Sequence, residues 1–474
     1  MKVPLTHGAY QARSVIADAQ RCANLFPEQN PEDAPFPVTH YPTPGLELKG
    51  TAPNGLGWRC LYTANNGKLY GVAGDAVYRI HPDTWLFDKI GNYPAGTTPV
   101  YAVDNGLTVI LVDGSPNGYT ISLAADTFAP ISNEAFYGSS RADLVDDFLL
   151  LNRPGTNQWY ISKFQQVDFD SLDFAAKTGF SDNVVAVAAA KRQVYVFGEL
   201  TTEVWFNEGS ADFPFARMPG AFIQHGCAAV GSIQQVDGSI YWLSKSKEGH
   251  CIFLRTQDYD GKRISTHAIE YVISQYDRVD DAVAYVYQQE GHFHYVVNFP
   301  SADKTWVFDV ATEQWHERFW LDGQGLEHRH RSNCHAFING MNLVGDWENG
   351  KLYQLKLDVY QDDGQPIRRV RSFPHMLDDS NRVMYRELIA AMQVGEGRAD
   401  TFEDGELRLR WSDSAGRDWG TSISTTLGAR GNFKRSLQFQ RLGYARDRVF
   451  ELSWMANTRT ALNGVHIRVE AANE

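Results

Sequence analysis

The amino-acid sequence predicts an all-β protein. Its centre is a β-propeller of seven blades, or six if one repeat serves another purpose. An extended N-terminal arm (1–54) precedes the propeller (55–360), and a C-terminal antiparallel domain of β-sandwich type (361–474) follows it. Three observations lead there: a strand layout that recurs every 41 to 54 residues, a composition rich in aromatics and glycine, and a first fifty residues with no periodicity.

The repeat is found by pattern and not by identity. "NGKLYGVAGDAVYRI" (66–80) has a turn, an apolar strand, a small polar turn and a strand centred on an aromatic. "NGLTVILVDGSPNGYTI" (105–121), "DDFLLLNRPGTNQWYIS" (146–162) and "KRQVYVFGELTTEVWFN" (191–207) repeat it. So do "DGSIYWLSKSKEGHCIFLR" (237–255), "EGHFHYVVNFPSADKTWVFD" (290–309) and "NGMNLVGDWENGKLYQL" (339–355). With the second strand as ruler, the anchors are Tyr78, Tyr119, Tyr160, Trp205, Phe253, Val307 and Tyr353, separated by 41, 41, 45, 48, 54 and 46 residues. Short strands and Gly/Asn/Asp turns at that period are the mark of propeller blades. Radial packing covers both faces of sheets that would be marginal alone and leaves only short edges. The pentapeptide "NGKLY" occurs at 66–70 and at 349–353, but alignment by layout puts the copies on different strands of their units, so that identity is coincidental.

Composition agrees with sheet. The chain of 474 residues has 13% aromatics and 40 Gly, and its 43% hydrophobic content excludes wholesale disorder. A chain this long exceeds one compact core. The arm is polar and proline-rich ("NLFPEQNPEDAPFPVTHYPTPGLEL"), so it builds no core and must lie along its own propeller or a neighbouring subunit. After Pro374, "YRELIAAMQVG", "GELRLRWSDS", "SLQFQRLGY", "RVFELSWMA" and "GVHIRVEA" read as five strands with clear alternation.

The N-terminus has no apolar run of signal-peptide kind, and no later stretch is long enough to span a bilayer. Five scattered cysteines (Cys22, Cys60, Cys227, Cys251, Cys334) form no CxxC pair and suggest reduced thiols made in a cytosol. The net charge of −13 argues against gripping nucleic acid through its phosphates. That charge is uneven: from Gln365 onward 17 Lys and Arg face 14 Asp and Glu, and Lys434 is the only lysine among them. Such an arginine-rich half suits a carboxylate- or phosphate-bearing partner, or simply a solvated surface.

Candidate chemistry is thin. "SDSAGRDW" (412–419) resembles the Asp-box turn of sialidases, with Ser414 where its Asp belongs, and that box is a structural turn. "EHRHRSNCH" supplies His328, His330, Cys334 and His335, with His316 nearby; these are zinc-competent types at no familiar spacing, and an exposed basic loop or subunit contact explains them better. Cys334 or His335 equally begins a strand "CHAFI". Asp258, Asp260 and Gly261 in "DYDGKR" form a fragment of a calcium loop without its closing Glu, which reads as a hairpin turn. Asp170 and Asp173 in "FDSLDF" pair two carboxylates, as a glycosidase would, in a loop where nothing fixes their geometry. No catalytic, cofactor-binding or metal-binding residue is assigned, and no cofactor is expected.

Three stretches, in order along the chain, resemble the packaged-DNA stabilisation proteins, or tail nozzle proteins, of short-tailed bacteriophages. They are "ARSVIADAQRCANLFPEQN" with "YPTPGL", then "VYVFGELTTEVWFNEGSADFPFARMPGAFIQHGCAAVGS" (194–232), then "LRLRWSDSAGRDWG…LGARGNF…RLGYARDRVFEL". The resemblance implies a non-enzymatic virion protein, six copies of which form a ring below the portal–adaptor assembly. Such a ring retains packaged DNA and forms its exit channel. Implied partners are the adaptor ring, a tail needle or plug, and tail fibre or spike proteins, with duplex DNA passing through without tight binding and no membrane insertion. Acidic channel walls would repel phosphates over about 8–10 Å at physiological salt. The reading from another class is a propeller glycosidase or glycan-binding lectin of a phage particle.

Overall fold

The computed structural model describes residues 2–379, 381–395, 405–428, 431–433 and 435–471; part of the "LGARGNF" stretch lies outside these described residues. Antiparallel strands dominate, and one α-helix, His267–Ser274, occurs among the described residues. Five four-stranded sheets follow one another in up-and-down order. They run from Trp58–Thr63 to Leu86–Asn92, Tyr101–Asp104 to Phe128–Pro130, Ala142–Val145 to Phe169–Ala176, Val184–Ala190 to Phe215–Ile223, and Gln234–Val236 to Asp260–Arg263. A sixth run of four, Val283–Gln289 to Gln314–Leu321, continues into a larger sheet.

The seventh sheet is made differently. Ser332–Ile338, Met341–Asp346 and Lys351–Lys356 are consecutive, but the fourth strand is Gly45–Thr51 from the other end of the chain. It pairs antiparallel with Lys351–Lys356, Leu46 opposite Leu355 and Glu47 opposite Gln354. The seven anchors read from the sequence all sit on the third strand of their sheets. The two "NGKLY" copies fall on a second strand (Leu69–Ala73) and a third strand (Lys351–Lys356), as the layout requires.

Local chemistry explains the hairpins. Asp146 and Asp147 (φ 47° and 65°), Lys191 and Arg192 (50° and 62°), and Asp258 and Tyr259 (50° and 65°) are consecutive left-handed pairs. Two such residues make the turn whose twist matches paired strands. Packing then links the sheets in sequence, an apolar cluster lying between each neighbouring pair. The cluster of Trp58, Tyr78, Leu343 and Leu352 joins the seventh sheet to the first. Ser332–Ile338 also lies directly against Trp58–Thr63.

Beyond residue 360 two further sheets form. One orders Arg369–Ser372, Asp447–Met455, Glu406–Ser412 and Ile423–Thr426; the other orders Leu25–Gln29, Val38–Pro42, Ala461–Ala471, Val383–Gln393 and Leu437–Ala445. All five strands expected there are present. The buried faces share one apolar cluster, with Leu409, Phe450 and Trp454 from the first and Leu388, Phe439 and Ile467 from the second. Cys22–Ala23 welds this region to the sixth sheet, pairing parallel with Gln314–Leu321 and antiparallel with Arg369–Ser372. Residues 1–54 thus lie along their own chain: Tyr10–Gln11 and Ala19–Gln20 pair with each other, and the other strands join three sheets shared with the rest of the chain.

Candidate functional site

The opening strands of most neighbouring sheets lie against one another. Among their residues only Arg59, Asp104 and Asp143 carry full charges, and polar side chains bridge from one sheet to the next. Asn333 donates to the Trp58 carbonyl (2.8 Å), the Tyr62 hydroxyl to Asp104 (2.7 Å), and the Ala189 amide to Asp143 (2.8 Å). Gln234 donates to the Ala284 carbonyl (2.7 Å), and the Tyr285 and Ser332 hydroxyls lie 2.7 Å apart. Arg141 reaches the Ile233 carbonyl (2.9 Å) and lies over the Tyr101 ring. A cavity of about 200 Å³ remains between these groups.

A larger cavity, about 740 Å³, opens where the first, sixth and seventh sheets meet. Arg59 closes its floor, 4% exposed, and donates to the Thr98, Pro94 and Gly74 carbonyls at 2.7, 2.7 and 3.0 Å. Arg329, 7% exposed, is held differently. Its guanidinium lies 4.4 Å from the Trp347 ring, and it donates to Asn333 at 3.3 Å. Burial pulls its pKa down to about 10, and the carboxylates of Asp303, Asp346 and Asp281 offset part of that. On the same cavity the Trp347 indole N–H and Asp281 Oδ1 are buried without a protein partner among the described residues.

The stretch expected as an exposed basic loop is neither exposed nor a loop. Glu327–Arg329 and Ser332–Ile338 are strands, and Arg329, His330 and Arg331 are 7%, 2% and 2% exposed. Compensation is internal: Arg331 pairs with Asp346 (2.6 Å) and Glu348 (2.9 Å), and His330 shares a hydrogen bond with Ser332 (2.7 Å). Burial lowers the pKa of His330 to about 3 and of His335 to about 4, which keeps both neutral. His328 faces Asp303 instead, at 2.7 Å. Cys334 starts no strand of its own but continues Ser332–Ile338. His316 sits apart, its ring against His294, and neither ring nitrogen has a partner among the described residues. Among the described residues no group of three His, Cys, Asp or Glu side chains is placed to hold a metal.

The carboxylates resolve into structure. Asp170 and Asp173 lie on the outer strand Phe169–Ala176, not in a loop, and Lys163 bridges both, at 3.2 and 2.8 Å. Asp258 and Tyr259 make the hairpin turn, and Asp260 accepts the Gly261 amide at 2.7 Å. At 412–419 Ser414 does cap its turn, accepting the Asp418 amide at 2.8 Å, while Asp413 holds Arg448 at 2.6 and 2.7 Å. Sequence reasoning missed Arg329, Trp347 and Asp281. Arg329 was in view as part of "EHRHR", but no spacing distinguishes an arginine facing a cavity from one facing water.

With this geometry in place, comparison with known proteins adds the following. The family model Phage_stabilise, described as bacteriophage P22 Gp10, beta-propeller, matches residues 1–360. Similar solved structures include one titled "Crystal Structure of Mitotic Checkpoint Complex", at TM-score 0.44 and 12% identity, covering 69% of this chain and 95% of that one. Another, "Structure of U3-55K", gives TM-score 0.41 and 10% identity, covering 66% and 99%. Neither likeness is close enough to carry an argument. No curated protein matches the sequence.

Proposed function

The chain belongs to the Phage_stabilise family, a family of phage packaged-DNA stabilisation proteins described as bacteriophage P22 Gp10, beta-propeller, and on that footing we propose that it is the tail nozzle of a phage particle. In this reading several copies, six by the family resemblance, form a ring below the portal–adaptor assembly. The ring retains the packaged genome and forms its exit channel. The match over residues 1–360 is the single observation that carries the proposal.

We read the seven runs of four strands as blades of one closed wheel. The cyclic run of apolar clusters supports this, above all the one that brings the seventh sheet back to the first. The two sheets beyond residue 360 are read as a sandwich, supported by their shared cluster.

The axis itself offers no passage for nucleic acid. Its remaining cavity of about 200 Å³ is lined by Arg59, Arg141, Tyr101 and Tyr285 and is far smaller than a duplex. The conduit therefore runs between copies, with a face of each wheel as its wall. A net charge of −13, with only three charged side chains on the axis-lining strands, leaves acidic groups for those outer faces, where they keep DNA sliding instead of bound. Particles assembled without the chain test the retention role. DNA content per particle should fall sharply relative to particles that contain it; full, stable heads without the chain would defeat the proposal.

A further inference from the structure

The cavity of about 200 Å³ is a cationic spot in an acidic chain. Its wall comes from the opening strands of five sheets, and Arg141, one residue before the opening strand of the third sheet, completes it. Two arginines line it, Arg59 and Arg141, and no Asp or Glu does, although the chain holds 57 Asp and Glu against 44 Lys and Arg.

The two arginines are held differently. Arg59 is saturated: its nitrogens donate to the Thr98, Gly74 and Pro94 carbonyls, to the Thr98 hydroxyl and to Asp113. Arg141 donates through Nη1 to the Ile233 carbonyl at 2.9 Å and has no ion pair among the described residues. Its Nε is buried, but Nη2 keeps open surface and makes no protein hydrogen bond. Asp143 lies within electrostatic reach of it. That carboxylate does not line the cavity, and its two oxygens already accept the Leu144 and Ala189 amides, each at 2.8 Å. The Tyr101 hydroxyl, also on the wall, is likewise open and without a protein partner among the described residues. The Arg141 guanidinium lies 5.4 Å from the centre of the Tyr101 ring, so the two free donors belong to one contact pair. Other polar groups of the wall are engaged: Gln234 with the Ala284 carbonyl, Asn333 with the Trp58 carbonyl, and Tyr285 with Ser332.

A half-buried cation without a counter-charge has given up hydration for nothing in return. From the two open donors and the absence of any carboxylate on the wall, we infer that the cavity is a binding site for a small monovalent oxyanion, a carboxylate of one to a few carbons, held by Arg141 Nη2 and the Tyr101 hydroxyl. The volume falls below the range of ordinary small-molecule pockets, so only a small ion fits. One unpaired positive charge matches one negative charge. Bound there, the anion bridges the second and third sheets and stabilises the folded chain by mass action. The site is independent of the proposed tail role, which needs no ligand here.

The test uses the purified full-length chain with sodium formate as probe. Calorimetric titration should show saturable binding of one formate per chain, and formate should raise the thermal midpoint in parallel. Tyr101→Phe removes only a hydroxyl that no protein group uses, so the variant folds. It should bind formate about tenfold or more weakly, the worth of one hydrogen bond to a charged group. Arg141→Gln should abolish binding; comparison with the parent at equal formate cancels general salt effects. Sulfate should bind more weakly than formate, because its second charge is desolvated without a partner. Absence of saturable formate binding, unchanged affinity in Tyr101→Phe, or tighter binding of sulfate would overturn the inference.

Discussion

Four histidines make this protein sensitive to acid in a way the geometry lets one calculate. His40, His294, His316 and His330 are at most 2% exposed, and burial holds each below its ordinary pKa, His330 at about 3. Nearby Arg371 and Arg318 push the same way. In the unfolded chain each would titrate near 6.5. Their contribution is therefore present above pH 6.5 and lost as pH falls from there toward the folded values, because the unfolded state takes up the protons. One unit below 6.5 each costs about 1.4 kcal/mol, so four cost about 6 kcal/mol at pH 5.5. Asp362 opposes this. Burial raises its pKa to about 7, so the folded state gains a proton first as pH falls and returns about 2 kcal/mol by pH 5.5. His292, raised by its 2.8 Å bond to Asp309, works in the same direction as Asp362. His335, lowered to about 4, adds to the loss, and His328, raised by its bond to Asp303, offsets part of it, so stability should fall between pH 7.5 and 5.5 by roughly 3–5 kcal/mol, a large share of a typical stability. His316 isolates the cause, because neither of its ring nitrogens has a partner among the described residues. His316→Leu should stabilise the protein, and by about 1.4 kcal/mol more at pH 5.5 than at pH 7.5. Urea unfolding followed by tryptophan fluorescence at the two pH values measures both quantities. A midpoint that rises on acidification, or an equal gain from His316→Leu at both pH values, would refute the reasoning.

Further outcomes follow from other contacts. Leu46 is 4% exposed on the strand that completes the seventh sheet, so Leu46→Ala should cost about 2–5 kcal/mol in urea unfolding. Deleting residues 1–45 removes strands from the C-terminal sheets as well and should give an aggregated or unfolded product by size-exclusion chromatography, not a folded monomer. Lys177, fully buried against Asp182 and Thr201, should not tolerate Lys177→Met: Asp182 keeps its bonds from the Leu200 and Thr201 amides but loses its counter-charge, a cost of about 3–5 kcal/mol that thermal unfolding would register. Lys163→Ala, at an exposed bridge to Asp170 and Asp173, should change stability by less than about 1 kcal/mol. The purified chain should not release reducing ends from host polysaccharide; release at enzymatic rates would favour the glycosidase reading.

What could be read in advance followed local rules. The second and third strands of most units are apolar, bounded by turn residues and largely buried, so seven anchors and five C-terminal strands were legible from pattern alone. Outer strands such as Leu86–Asn92 were not, because they are half exposed and their composition resembles that of loops. Nor could the placing of Gly45–Thr51 beside Lys351–Lys356 be foreseen, since a contact across three hundred residues leaves no local trace. Cys22–Ala23, only two residues long, has the same defect. The misjudged "EHRHRSNCH" stretch shows a third limit. Charged residues usually mark a solvated surface, and burial of Arg331 depends on Asp346 and Glu348, whose proximity only the fold creates. The candidate cavity was illegible for the same reason: Asp281, Arg329 and Trp347 come from different sheets or the segments between them.

The measurement that bears most directly on the whole account is an electron cryomicroscopy reconstruction of the intact particle. A ring of copies should sit at the tail below the portal, each copy a seven-bladed wheel with a filled axis, and the open channel should run between copies along the symmetry axis of the ring. A particle in which the chain is missing from the tail, or in which DNA threads the axis of a single wheel, would contradict it.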